Sequence, residues 1–131
     1  MEMRSARDRA LELLGPLEAR IMDAAWAARL PDPFVVRDVH EVLSDLAYTT
    51  VMTTVSRLAT KGILGVERSQ SARAHHYRVA EQPRQMIERL SRAEAGRAVA
   101  RFGDAAFTAF TAELDRLSPA QRQRLRRLAD R

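Results

Sequence analysis

The chain has 131 residues, 46% of them hydrophobic and 30% charged, the balance of an ordinary globular chain of about one domain. It has no cysteine, which excludes disulfides, thiolate nucleophiles, iron–sulfur clusters and cysteine-rich zinc sites. Its net charge of +5 is unevenly placed: residues 10–46 carry −4, whereas residues 47–80 and 81–131 each carry +4. A basic patch following an acidic stretch marks the middle of the chain as a candidate surface for a polyanion. No apolar run approaches the roughly 18 residues of a membrane span, and Met1-Glu2-Met3-Arg4-Ser5 lacks the apolar core of a signal peptide. The expectation is a cytoplasmic protein without membrane insertion.

Pro16 is placed for the first turn of a helix, where its missing N–H costs nothing. Leu17, Ile21, Ala24 and Ala28 then recur at helical steps beside Trp26, which reads as a core residue. Leu30-Pro31-Asp32-Pro33 is expected to end this helix, because residues before proline resist the helical region. Phe34-Val35-Val36 reads as a very short strand, and a brief second helix follows with Val39, Val42 and Leu43 inward.

The third helix, Tyr48 to Lys61, carries most of the information. At about 100° per residue, Tyr48, Val51, Met52, Val55, Leu58 and Ala59 gather on one face, read as core. Thr49, Thr50, Thr53, Ser56, Arg57, Thr60 and Lys61 gather on the other. Threonine is a poor helix former because branching at Cβ restricts its rotamers, so a face this rich in it points to a use other than helix stability. Gly62 stands where a left-handed cap belongs.

Beyond Gly62 the period changes. Ile63–Arg68 and His75–Val79 read as two strands, with Ser69–Ala74 as their polar tip. Three helices and a hairpin make a mostly α protein with a small β-wing, a winged helix-turn-helix domain over residues 1–80. In such a fold the exposed threonine and arginine face suits double-stranded DNA: the major groove admits a helix, and threonine contacts a base edge or the thymine methyl. The candidate contacts are Thr49, Thr50, Thr53, Ser56, Arg57, Thr60 and Lys61 on the helix, with Arg68 and Arg73 on the wing. The plainer reading, a merely solvated face, is the commoner meaning of one polar stripe. The basic shift and the fold together favour DNA.

His75 and His76 are adjacent in a strand and point to opposite faces, so they do not share a metal ion. There is no glycine-rich phosphate cradle and no grouping of nucleophile, base and acid. No cofactor, metal or enzymatic activity is expected.

Residues 81–131 differ in character. Met86, Leu90, Ala93, Gly96 and Ala100 form a thin seam; Phe107, Phe110, Leu114 and Leu117 form a second stripe, with Phe102 at helical spacing before it. Ser118-Pro119-Ala120-Gln121 is a well-formed helix start, and Leu125 and Leu128 give that helix its apolar side. So thin a segment cannot bury a core alone, and without cysteine or metal the remaining staple is self-association. The expected homodimer face is Met86, Leu90, Phe102, Phe107, Phe110, Leu114, Leu117, Leu125 and Leu128.

Several of these stretches resemble the BlaI/MecI-type penicillinase-repressor family. They are Leu14-Gly15-Pro16-Leu17-Glu18 with Ile21-Met22 and Trp26, Val36-Arg37-Asp38-Val39-His40 with Leu43, and Ala47-Tyr48-Thr49-Thr50-Val51-Met52-Thr53-Thr54 with Arg57-Leu58 and Lys61-Gly62. His76-Tyr77 matches the end of the family's wing. The resemblance implies a homodimeric winged-helix repressor of dyad-symmetric operators, often of β-lactamase or cell-envelope genes and hence of antibiotic resistance. It also implies relief through a membrane metalloprotease sensor system and cleavage in the dimerisation region. The family cleavage point is typically asparagine before phenylalanine; the nearest candidate here is Arg101-Phe102, where only the phenylalanine agrees. Copper sensing through a cysteine cluster, found in a related branch, is excluded. Two other readings stand beside this one. The first is a small-molecule-sensing winged-helix regulator with phenylalanines lining its pocket. The second is a winged-helix protein-interaction module, which the threonine-rich helix argues against, since protein-binding helices more often present aromatic anchors.

Overall fold

Ser5 opens a helix that the hydrophobic pattern did not announce. Its hydroxyl accepts the Asp8 N–H at 3.0 Å, and α1 runs Ala6–Glu12 with only Ala10 buried. The computed structural model describes residues 4–68 and 75–130.

The helix α2 spans Pro16–Trp26 and buries Ile21, Met22 and Ala24. It stops short of the expected end at Leu30, because Ala28 adopts φ 58°. That left-handed conformation cannot continue an α-helix, so the chain turns before Pro31 is reached. The strand expected over Phe34–Val36 is reduced to one bridge. Phe34 and Tyr77 exchange backbone hydrogen bonds of 2.9 and 2.8 Å, while Val36 already begins α3 (Val36–Val42). In α3, Val39 and the following Leu43 are buried as expected, but Val42 is exposed.

The helix α4, Tyr48–Thr60, buries Val51, Val55 and Leu58 together with Thr54. Tyr48 and Met52, expected in the core, are 47% and 45% exposed. The buried arc is centred on Val51 and Leu58 and turns toward Thr54, whose hydroxyl is satisfied by the Thr50 carbonyl at 2.7 Å. A threonine whose proton is bonded locally can be buried at little cost, and the roll that buries it turns Tyr48 and Met52 outward.

Gly62 has φ 81°, the left-handed value that glycine adopts without strain. The chain then enters the hairpin, with the Ile63 N–H donating to Leu58 O at 3.1 Å. β1 (Leu64–Glu67) pairs antiparallel with β2 (His76–Val79), in the register Leu64–Val79, Gly65–Arg78, Val66–Tyr77 and Glu67–His76. Leu64 and Tyr77 face the core with Ile63 and Phe34.

The last long helix, α5 (Pro83–Phe102), begins as part of this first unit. The Trp26 indole N–H donates to Glu81 O at 2.9 Å, Arg89 holds the Glu81 carboxylate at 2.7 and 2.9 Å, and Met86 is fully buried. These ties place the division between the two compact units, Met1–Arg89 and Leu90–Arg131, inside α5 rather than before it. They also make Met86 a core residue, so it is not available to a dimer face. Trp26 is half-buried and hydrogen-bonded, a structural rather than a stacking residue.

The second unit holds the rest of α5, then α6 (Asp104–Asp115) and α7 (Pro119–Ala129). Gly103, at φ 61°, separates α5 from α6. Ser118 caps α7 reciprocally with Gln121, as its sequence predicts. Among the described residues of this unit only Ala106 is buried, while Phe102, Phe107, Phe110, Leu114, Leu125 and Leu128 are exposed.

Candidate nucleic-acid interface

The helix α4 is held from several sides. Val51, Val55 and Leu58 are wholly buried beneath it. The turn leading into it is tied to α2 by a bidentate pair, Arg20 Nη1 and Nη2 to the two Asp45 oxygens at 2.8 Å each. Hydrogen bonds from the Arg20 guanidinium hold the Asp45 carboxyl below its ordinary range. From α3, His40 Nε2 lies 2.9 Å from Leu46 O in the turn; a carbonyl only accepts, so this nitrogen carries the proton. The His40 ring meets Tyr48 edge-on at 5.6 Å between centroids.

At its other end α4 is fastened to α2. Lys61 Nζ lies 2.9 Å from Glu18 Oε2 and 3.0 Å from Oε1. The Glu18 side chain is 8% exposed and that of Lys61 48%, so a nearly buried carboxylate is neutralised by an ammonium at the surface. Lys61, expected among the DNA contacts, also has an internal partner in the structure. Neither Glu18 nor Asp45 stood out in the sequence, because an acid in a helix's first turn or in a connecting loop has ordinary local reasons to be there.

The outward face of α4 presents Thr49, Thr53, Ser56, Arg57 and Thr60, with Thr50 half-buried at its margin. Thr53 and Thr60 donate their hydroxyl protons to Thr49 O and Ser56 O, at 2.9 and 3.1 Å. This local bonding is why a run of threonines is tolerated within a helix, and it leaves each hydroxyl oxygen as an acceptor beside a methyl. Ser56 and Thr60 border a shallow groove whose other wall is the wing: Val66, Arg68, His75 and Tyr77. Arg68 is exposed at the groove, and the wing's Arg78 is paired with Glu67 at 3.0 Å. Arg73, the other expected wing contact, lies outside the described residues.

Among the described residues no group of three histidine, aspartate or glutamate side chains gathers in metal-binding geometry, and no helix is long and apolar enough to cross a membrane. Of the expected self-association residues, Leu90 and Leu117 are half-buried and the six large apolar side chains from Phe102 to Leu128 named above are exposed. Arg101 is exposed at the end of α5, its guanidinium carbon 5.1 Å from the centre of the Phe102 ring.

The helices α2 to α4, the last presenting a polar, cationic face, followed by an antiparallel hairpin flanking that face, define a winged helix-turn-helix domain. The profile of the penicillinase repressor family matches residues 14–131, and the chain belongs to that family. The transcriptional regulators BlaI of two Mycobacterium tuberculosis strains, CDC 1551 / Oshkosh and ATCC 25618 / H37Rv, are each 49% identical to it over 70 residues, which is 51% of this chain and 48% of theirs. The chain thus spans about half the length of the curated relatives it matches. Among solved structures, a complex of S. aureus MepR with DNA superposes with a TM-score of 0.48 at 15% identity, over 83% of this chain and 89% of that one. A MarR/EmrR family regulator from Acinetobacter sp. ADP1 superposes at 0.44 and 21%, over 89% and 77%. The family is one of repressors.

Proposed function

We propose that the protein is a homodimeric repressor that binds dyad-symmetric DNA and blocks transcription by occupying the operator. The observation that carries this reading is the α4 face: Thr49, Thr53, Ser56, Arg57 and Thr60 exposed together, with Arg68 of the wing across a common groove. A helix of 13 residues fits the major groove with such a face inward, while Arg68 tracks the phosphates beside it. Family membership supports the same reading, as does the likeness to the M. tuberculosis transcriptional regulators. The targets implied by the family are genes of antibiotic resistance or the cell envelope.

The second unit supports pairing. It leaves Phe102, Phe107, Phe110, Leu114, Leu125 and Leu128 exposed on a segment with one buried side chain among its described residues, a surface that self-association covers. Relief of repression by proteolysis, through a membrane metalloprotease sensor, is proposed at the Arg101–Phe102 bond. That bond lies at the end of α5, directly before the break at Gly103. Mass spectrometry of the protein from induced cells tests this, and an intact chain during derepression rules it out. Repressor function itself is tested with a reporter driven by the chain's own upstream DNA. Expression falls when the protein is supplied and recovers with Arg57→Ala; expression indifferent to the protein contradicts the proposal.

A further inference from the structure

We infer that α4 reads thymine C5-methyl groups with Met52, on the edge of its DNA-facing surface next to Tyr48. The inference rests on the DNA-binding function proposed above and assigns part of its sequence preference. Met52 is 45% and Tyr48 47% exposed, although large apolar side chains on a helix are normally placed inward. They lie one turn apart on the same side of α4, and Met52 is angularly adjacent to Ser56 and Thr49 on the exposed face. The apolar edge is therefore continuous with the polar reading face. It is also on the first unit, not on the apolar surface of α6 and α7.

The occupant follows from the chemistry of the neighbours. Arg57 and Arg68 stand exposed on the same face and on the wing, and residues 47–80 carry a net +4, so a polyanion is the complementary ligand. On double-stranded DNA the one apolar group displayed in the major groove is the thymine methyl. The hydrogen-bonding of the threonines points the same way. Thr53 has committed its proton to Thr49 O, so its side chain offers a methyl and an acceptor rather than a donor. Methionine, unbranched and polarizable, adapts to such a small apolar target. The face therefore combines arginine for phosphate or guanine with an apolar edge that favours T·A pairs over C·G at the same step.

The test uses duplexes selected from a random-sequence library on the full-length protein. Each thymine of the tightest duplex is replaced singly by deoxyuridine, which removes the methyl and keeps every hydrogen-bonding group. The wild-type protein is expected to lose about fourfold in affinity at one or two of these steps, the value of one methyl-sized group removed from water. Met52→Ala is expected to bind the thymine duplex less tightly and to be indifferent to deoxyuridine at those steps. Met52→Gln, of similar length but polar, is expected to behave like Met52→Ala. Wild-type affinity unchanged by every replacement overturns the inference while leaving DNA binding intact. A Met52→Ala protein that keeps the full thymine preference overturns the assignment to Met52. Failure to select any preferred duplex overturns the DNA-reading function and this inference with it.

Discussion

Replacing Lys61 by methionine removes the counter-ion of Glu18, whose side chain is 8% exposed, while keeping the length of the lysine stem. Breaking a fully buried pair costs about 3–5 kcal/mol, and an exposed pair contributes about 0–1 kcal/mol. With Glu18 nearly buried and Lys61 48% exposed, the expected loss lies between these limits, about 2 kcal/mol. For a unit of this size each kcal/mol lowers the melting temperature by roughly 4–8 °C, so Lys61→Met should melt roughly 10 °C below wild type at equal protein concentration. Arg57→Met is the control: Arg57 is exposed, among the described residues it has no ionic partner, and its change should stay within about 0.5 kcal/mol. A double change, Glu18→Leu with Lys61→Met, should recover most of the loss, because replacing both partners removes the stranded charge. Circular dichroism melting of the four proteins measures this. A Lys61→Met protein as stable as Arg57→Met, or a double variant less stable than Lys61→Met alone, refutes the argument that the pair fastens α4 to α2.

Arg57→Ala should weaken specific DNA binding by about 1–3 kcal/mol while leaving the melting temperature nearly unchanged, as one base contact is lost; fluorescence anisotropy and a melt on the same sample check both halves. Arg68→Ala should weaken binding to all sequences alike and reduce the slope of log affinity against log salt by about 1, the signature of a phosphate contact. If the proposed homodimer forms through the apolar surface of α6 and α7, wild type should sediment as a dimer and Phe107→Asp with Leu114→Asp as a monomer in sedimentation equilibrium, with the helical circular dichroism of the first unit retained. The Arg20–Asp45 tie should show in acid: hydrogen bonds from Arg20 depress the folded carboxyl's pKa, so its contribution is present above the ordinary aspartate range and is lost as pH falls through the lowered value. The melting difference between wild type and Asp45→Asn should therefore be seen at neutral pH, shrink as pH falls below the ordinary aspartate range, and vanish only once pH has passed below the lowered folded value, where Asp45 is protonated in both states.

The elements legible in the sequence were those whose signals are local. Pro16, Gly62 and the Ser118–Gln121 box each set a boundary through one residue's backbone or side-chain chemistry, and each stands where that chemistry puts it. The period-two runs around Val66 and Tyr77 likewise paired as a hairpin. What local pattern could not give was the roll of a helix about its axis. Val51, Val55 and Leu58 fix the buried side of α4, but whether the arc extends to Met52 or to Thr54 turns on the Thr54 hydroxyl finding an acceptor in the Thr50 carbonyl. Hydropathy ranks Met52 above Thr54; the hydrogen bond reverses them. The early end of α2 was hidden in the same way, since no sequence rule assigns a left-handed conformation to Ala28. The pairing of Lys61 was hidden because its partner, Glu18, is 43 residues away in the chain.

The claim on which the rest depends is sequence-specific DNA binding by the α4 face. The measurement that reaches it most directly is fluorescence anisotropy of the full chain on its own upstream DNA and on a scrambled duplex of equal length, across a salt series. Binding to the upstream DNA should be tighter by about a thousandfold or more and weaken steeply as salt rises. Equal, weak binding to both duplexes at every salt concentration would contradict it.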